Sequence, residues 1–175
     1  MQTYDNYDRI VSSQYYDADM QPAIGPEGCF SVEREYTSRG QISLIHYQSV
    51  DGQPAVVDGA YGVCMSYNSY GNMEYKTWLD QNGDPMVNDE GYAAVRYDYD
   101  LSNAETAEHY YEYYLNAELE PVQASNGAWG KATVYYPVTR VHTITYIDQN
   151  GDATDTTDGY ASYEYEEDEN GNHTW

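Results

Sequence analysis

The sequence predicts an all-β chain of tandem β-hairpin repeats, each of about 32 residues, stacked as an elongated antiparallel sheet or a β-solenoid. Three observations predict it. Pro22, Pro54, Pro85 and Pro121 fall 32, 31 and 36 residues apart, and Ala153 takes the next slot 32 further on. Gly28, Ala60, Gly91, Gly127 and Gly159 each follow six residues after these markers. Between them the apolar period is two. Val95, Tyr97 and Tyr99 alternate with Arg96 and Asp98; Met73, Tyr75 and Thr77 alternate with Glu74 and Lys76; Ala161, Tyr163 and Tyr165 alternate with Ser162, Glu164 and Glu166. That is the pattern of a strand with one packed and one wet face. Turn residues punctuate the runs throughout.

The units follow in order. Residues 1–14 are a partial unit, because Tyr4-Asp5-Asn6 aligns with Tyr36-Thr37-Ser38 one period later. Unit 15–46 holds Tyr16-Asp17-Ala18-Asp19-Met20-Gln21-Pro22, then Gly28-Cys29-Phe30, then Tyr36 to Gln41. Unit 47–78 holds Asp51-Gly52-Gln53-Pro54, Tyr61, and Tyr67-Asn68-Ser69-Tyr70-Gly71-Asn72. Unit 79–113 repeats this with Asp80-Gln81-Asn82-Gly83-Asp84-Pro85, Gly91-Tyr92-Ala93 and Tyr99 to Asn103. Unit 114–145 is the most degenerate, with Pro121, Gly127-Ala128-Trp129 and Tyr135-Tyr136-Pro137. Unit 146–175 returns to form with Asp148 to Asp152, Gly159-Tyr160-Ala161 and Asp168 to Asn172. Each unit reads as two short strands and two turns.

The Asn-Gly pairs beginning at 82, 150 and 170 supply the positive φ of tight hairpins. Gly40, Gly71 and Gly171 suit type I turns closed by a glycine bulge. The 36-residue spacing carries an insertion of about four residues, between Asn103 and Tyr114. Ser102-Asn103-Ala104-Glu105 matches a capping box, so a short helical turn over Ala104 to His109 competes there with a longer strand. Neither end looks like a polar cap, which reads as a segment of a longer array or one that pairs end to end.

The repeated wording resembles the tyrosine-rich tandem repeats of bacterial surface and polysaccharide-related proteins: Tyr-Asp-x-x-Gly-x-Pro, then Gly-Tyr-x, then Tyr-Asp-x-x-Gly-Asn. It is more distantly similar to the YD repeats of Rhs-type shells. The likeness runs from Tyr4 to Trp175, with Asn103 and Arg140 in place of the turn glycine in two units. What it implies is an accessory or scaffolding array, extracellular or on the cell surface, with no catalytic residues.

Composition narrows the functions. The 175 residues include 30 acidic and 7 basic side chains, a net charge of −23. Nucleic acid and anionic lipid are poor partners for such a surface, since both are held by Lys and Arg. Leu, Ile, Val and Phe make up about 14 % of the chain, a share that would ordinarily signal disorder. Twenty-three tyrosines reverse that reading, because each brings a large apolar ring with a polar tip and favours strands. No run approaches the roughly 18 apolar residues of a membrane span, and Met1 to Asp5 shows no secretory signal.

The candidate ligand-binding residues are the aromatics where the repeat departs from itself: Trp78 and Trp129, with Trp175, and the tyrosines Tyr111 and Tyr114 read as facing solvent. Exposed rings of this kind suit a glycan, whose apolar faces stack on them, or a protein partner. The plainer reading of periodic Tyr is the packing of a thin sheet. No catalytic residue, metal or cofactor is predicted. Asp80 to Asp84 and Asp148 to Asp152 begin like EF-hand loops, but position six is Pro85 or Ala153 and position twelve is Gly91 or Gly159. Only weak, nonspecific divalent binding by the acidic surface is expected. His46, His109, His142 and His173 lack zinc spacing. A glycosidase would need a concave cleft with paired carboxylates, which a thin array rarely makes. Cys29 occupies a slot held elsewhere by Tyr and reads as a small packed group; whether it meets Cys64 is open. The function expected is a non-catalytic binding or spacer module, with a self-associating fibre or shell element as the alternative.

Overall fold

A computed structural model describes residues 1–100 and 107–174. They form twelve strands and no helix. Two compact units divide the chain, Met1–Asp89 and Glu90–Trp175. The first holds β1 (Gln2–Tyr4), β2 (Ile10–Gln14), β3 (Ser31–Tyr36), β4 (Ile42–Gln48), β5 (Gly62–Tyr67) and β6 (Met73–Leu79). The second holds β7 (Ala94–Asp100), β8 (Glu108–Leu115), β9 (Gly130–Tyr136), β10 (Val141–Ile147), β11 (Ser162–Glu167) and β12 (His173–Thr174). In each unit the strands pair antiparallel in chain order, as an open sheet. All-β and antiparallel therefore stand. The solenoid alternative does not, because within each unit the strands pair antiparallel with their sequence neighbours edge to edge instead of coiling into stacked parallel turns.

Among the described residues twelve reversals share one hydrogen-bond pattern, beginning at Asp5, Asp17, Gly25, Thr37, Ser49, Asn68, Asp80, Asn116, Ala124, Asp148, Thr156 and Asp168. At Asp80, the N–H of Gly83 donates to the Asp80 carbonyl at 3.1 Å, and the Asp80 N–H donates to the Asp84 carbonyl at 2.8 Å. The fourth residue of each turn has positive φ. It is glycine in nine, and Asp8, Met20 or Leu119 in the other three, at 60°, 59° and 62°. The Asn of each Asn-Gly pair keeps negative φ and only its glycine is left-handed, so these are type I turns with a glycine bulge, not two-residue hairpin loops. The two-residue form appears instead at Asp58-Gly59, with φ of 49° and 77°. Arg140, standing where another unit has glycine, is also left-handed, at 55°.

In eight of these twelve turns the first side chain accepts the amides two and four residues on. Asp80 Oδ1 accepts from Asn82 at 2.7 Å and Asp84 at 2.9 Å; Asn68 and Asn116 make the same two contacts. Ser49 and Thr156 instead donate to the carbonyls of Gln53 and Tyr160, at 2.9 and 3.0 Å, and Gly25 and Ala124 have no side-chain oxygen to offer. These local bonds are why short polar residues occupy the positions.

Burial concentrates where strands meet the wider loops. In the first unit Cys29, Val32, Ala60, Val63 and Leu79 are buried; in the second Tyr92 to Val95, Leu115, Ala124, Ala128, Ile144 and Ile147 are. The short-turn ends are open, with Tyr99 and Tyr136 exposed. Alternation is clean in β11, where Tyr163 and Tyr165 are half-buried between exposed Ser162, Glu164 and Glu166. It blurs in β6 because the Lys76 ammonium lies over the Trp78 ring, 4.7 Å from its centre. The capping-box residues Ser102 to Glu105 fall outside the described residues. Beyond them Glu108 to Tyr114 belong to an eight-residue strand, so the helical turn does not reach His109.

Two expectations follow. The carboxyls of Asp80, Asp148 and Asp168 are held below the ordinary value of about 3.9: the amide of Asp84 dominates at Asp80, that of Asn150 at Asp148, and the side chain of Asn172 at Asp168. A carboxyl lowered by folding contributes stability that is complete above the unfolded value and lost as pH falls through the folded one. The melting temperature should therefore drop as pH falls below about 4, and less steeply when all three are replaced by Asn, which keeps the acceptor and has no proton to gain. At Gly130 a Cβ would sit 2.1 Å from the Glu112 carbonyl oxygen. Gly130→Ala should cost about 1–3 kcal/mol, read by urea denaturation.

Candidate ligand-binding surface

The four predicted residues do not gather at one point. Trp78 is in the first unit, on β6 opposite Val63 and half-buried. Trp129 is in the second, just before β9, and is also half-buried. Its backbone ties neighbouring segments, donating to the Ile147 carbonyl at 2.8 Å and accepting the Tyr114 N–H at 3.0 Å. Trp175 lies outside the described residues.

Tyr111 and Tyr114 stand three apart on β8, and a strand sends such residues to opposite faces. Tyr111 is half-buried opposite Asp98 and Ala132. Its ring is 6.3 Å from that of Tyr113, with planes 18° apart. The Arg96 guanidinium lies 4.6 Å from the Tyr113 ring centre and pairs with Asp98 at 3.1 Å. Two nearly parallel rings with an ion pair beside them form a half-exposed platform.

Tyr114 corrects the expectation of a solvent-facing ring. It is 4 % exposed and stacks on Tyr92 at 4.3 Å and 2°. The reason is its place at the loop end of β8, opposite buried Val95, where the wider loop covers it. Tyr114 is core.

A row of rings crosses the face of the second unit that lies opposite Tyr111 and that Tyr114 shares. Tyr135 stacks on His142 at 4.4 Å, His142 on Tyr165 at 4.6 Å, and Tyr165 meets His173 at 4.1 Å. Strand register sets the row, since His142 faces Tyr135 across one ladder and Tyr165 across the next. Rings packed face to face shield each other's flat surfaces, so this row holds strands together better than it could hold a sugar. His142 Nε2 lies 3.3 Å from Glu167 Oε1, yet neither buried imidazole nitrogen makes a hydrogen bond. Sequence spacing alone does not expose this row; aligning the turns on either side of β10 would have.

Burial pushes the phenols of Tyr97 and Tyr114 far above the ordinary range, with Glu112 adding to both. Burial and the neighbouring Tyr163 and Tyr160 push Tyr146 up to about 12. Cys29 is buried and Cys64 exposed; both thiols are free, and burial raises that of Cys29. Among the described residues no group of three or more His, Cys, Asp or Glu could hold a metal ion, and no helix is long and apolar enough to cross a membrane.

The first unit also holds a cleft of about 280 Å³ that sequence reasoning missed. Glu33, His46, Gln48, Asp80, Gln81 and Tyr61 are among its lining residues. Its carboxylates come from separate hairpins, β3 and the turn after β6, so no sequence motif joins them. Compared with protein-family models and with curated proteins, the chain matches none.

Phenols raised by folding contribute stability that is complete below their unfolded value near 10 and lost as pH rises above it. An alkaline absorbance titration should show Tyr97, Tyr114 and Tyr146 ionising above the ordinary phenol value near 10, and only as near-ultraviolet dichroism collapses. A single wave near pH 10 with dichroism intact would contradict the burial described.

Proposed function

We propose that residues 1–175 form one tandem array of hairpin repeats of about 32 residues, akin to the tyrosine-rich repeats of bacterial surface proteins. Five isolated bridges support the repeat: Tyr16 with Pro22, Gln48 with Pro54, Leu79 with Pro85, Leu115 with Pro121 and Ile147 with Ala153. Each joins residues six apart at the same point of successive units. The array acts as a non-catalytic binding or spacer module, extracellular or at the cell surface, and takes a glycan along its aromatic face. The observation that carries binding is the half-exposed pair Tyr111 and Tyr113 with its neighbouring ion pair. A pyranose stacks on such rings while its hydroxyls meet the charged rim.

Self-association is the second reading, favoured by the exposed edge strands β1 and β12, whose unpaired backbone groups can accept another strand.

The test is calorimetric titration with neutral and amino-sugar oligosaccharides. Binding is expected, and Tyr111→Ala should weaken it roughly two- to tenfold, the worth of one ring contact. Absence of binding to every oligosaccharide overturns the glycan reading. Hydrolysis of any of them overturns the non-catalytic one.

A further inference from the structure

We infer that the cleft of the first unit is a subsite for a sugar bearing a protonated amine. This rests on the glycan reading above and names which sugar and where. Glu33 and His46 stand directly opposite on β3 and β4, which puts them on one face of the sheet. Gln48 lies two residues beyond His46 on the same face, and its Nε2 donates to Glu33 Oε1 at 3.4 Å. Asp80 and Gln81 enter from the turn after β6. The carboxylate of Asp80 is fixed there by the turn amides it accepts.

Gly62 is opposite His46 on β5, and a Cβ there would meet the Ile45 carbonyl oxygen at 2.5 Å and His46 Nδ1 at 3.0 Å, so the glycine lets β5 pack close beside His46. Gly52 lines the cleft, and a Cβ on it would meet nothing within 4 Å. Beside Gln48, and opposite it across the ladder, Ser31 is fully buried with an Oγ that has no hydrogen-bond partner.

The chemistry of the lining selects the ligand. Two carboxamides, an imidazole and phenolic Tyr61 can each exchange hydrogen bonds with sugar hydroxyls. Two carboxylates without a Lys or Arg in the lining favour an ammonium and repel an acidic sugar. The volume is just under the roughly 300–1,000 Å³ of sites for drug-sized molecules, which suits one pyranose ring of a longer chain.

The experiment compares three tetrasaccharides by calorimetry on the full chain: a glucosamine tetramer, its N-acetylated counterpart and cellotetraose. The glucosamine tetramer should bind at least about tenfold more tightly than the other two. Glu33→Gln with Asp80→Asn should abolish that preference. The turn survives this change, because Asn68 and Asn116 make the same backbone contacts in their own turns. Asp148→Asn with Glu164→Gln removes the same charge from the second unit and should leave the preference intact. Equal loss in both double variants would show that diffuse charge, not the cleft, attracts the amine, and would overturn the assignment. Equal affinity for all three tetramers would also overturn it; if Tyr111→Ala still weakened their binding, the glycan reading would stand. No binding by any tetramer would end both.

Discussion

Everything in this protein depends on reversing an extended chain within a few residues, again and again, without a large core to hold the reversal. The device is local. One oxygen on the first residue of the turn accepts two backbone amides, and the fourth residue goes left-handed so the next strand can leave in register. Eight of the twelve described turns use the side-chain acceptor, and nine supply glycine at the left-handed position. Where Met20 or Leu119 stands there instead, the backbone conformation costs about 1–2 kcal/mol. The turn hydrogen bonds and the adjoining ladder must offset that cost. The acidic composition follows in part from this device, because Asp is both a good amide acceptor and a solubilising charge.

With the turns secured, the strands need only modest burial. Large aliphatic residues are concentrated at the loop ends, where Val32, Val95, Leu115 and Ile147 are covered. Toward the short turns, tyrosine takes over. Its ring contributes roughly 0.5–1.5 kcal/mol in a good aromatic pair beyond its area, and its hydroxyl stays compatible with water. That division explains how a chain with one phenylalanine folds as a sheet. It also explains why half-exposed rings are abundant, so that exposure alone does not mark a binding site. Tyr111 differs from Tyr135 in that its neighbours leave a platform, whereas the faces of Tyr135 and His142 are turned against each other.

The strands and turns were legible in the sequence because their determinants are local. Period two in Ser162 to Glu167 and the Asp-x-x-Gly turns each predict their own geometry within six residues. Legibility ended where outcome depends on which hairpin lies alongside. Tyr114 looked like one more alternating tyrosine, and only its place against Val95 and Tyr92 buries it. Glu33 and Asp80 are 47 positions apart in the sequence, so their approach to one cleft depends on the pairing of four strands. Left-handed Met20 and Leu119 were hidden for the opposite reason: the turn pattern outweighed a residue preference that argued against it.

The ring row of the second unit carries an evolutionary consequence. Its spacings of 4.1 to 4.6 Å nearly match the 4.7–4.9 Å between neighbouring strands, so the stack grows one ring per strand without distortion. Because strands within the unit follow chain order, duplication or loss of a whole hairpin requires no strand to pass another. A gene encoding such a protein can lengthen or shorten by complete hairpins while the ring row closes over the join. A single-residue slip within a strand has the opposite effect, turning that strand's rings to the wrong side. Length is therefore an inheritable variable here, and reading frame within the hairpin is not.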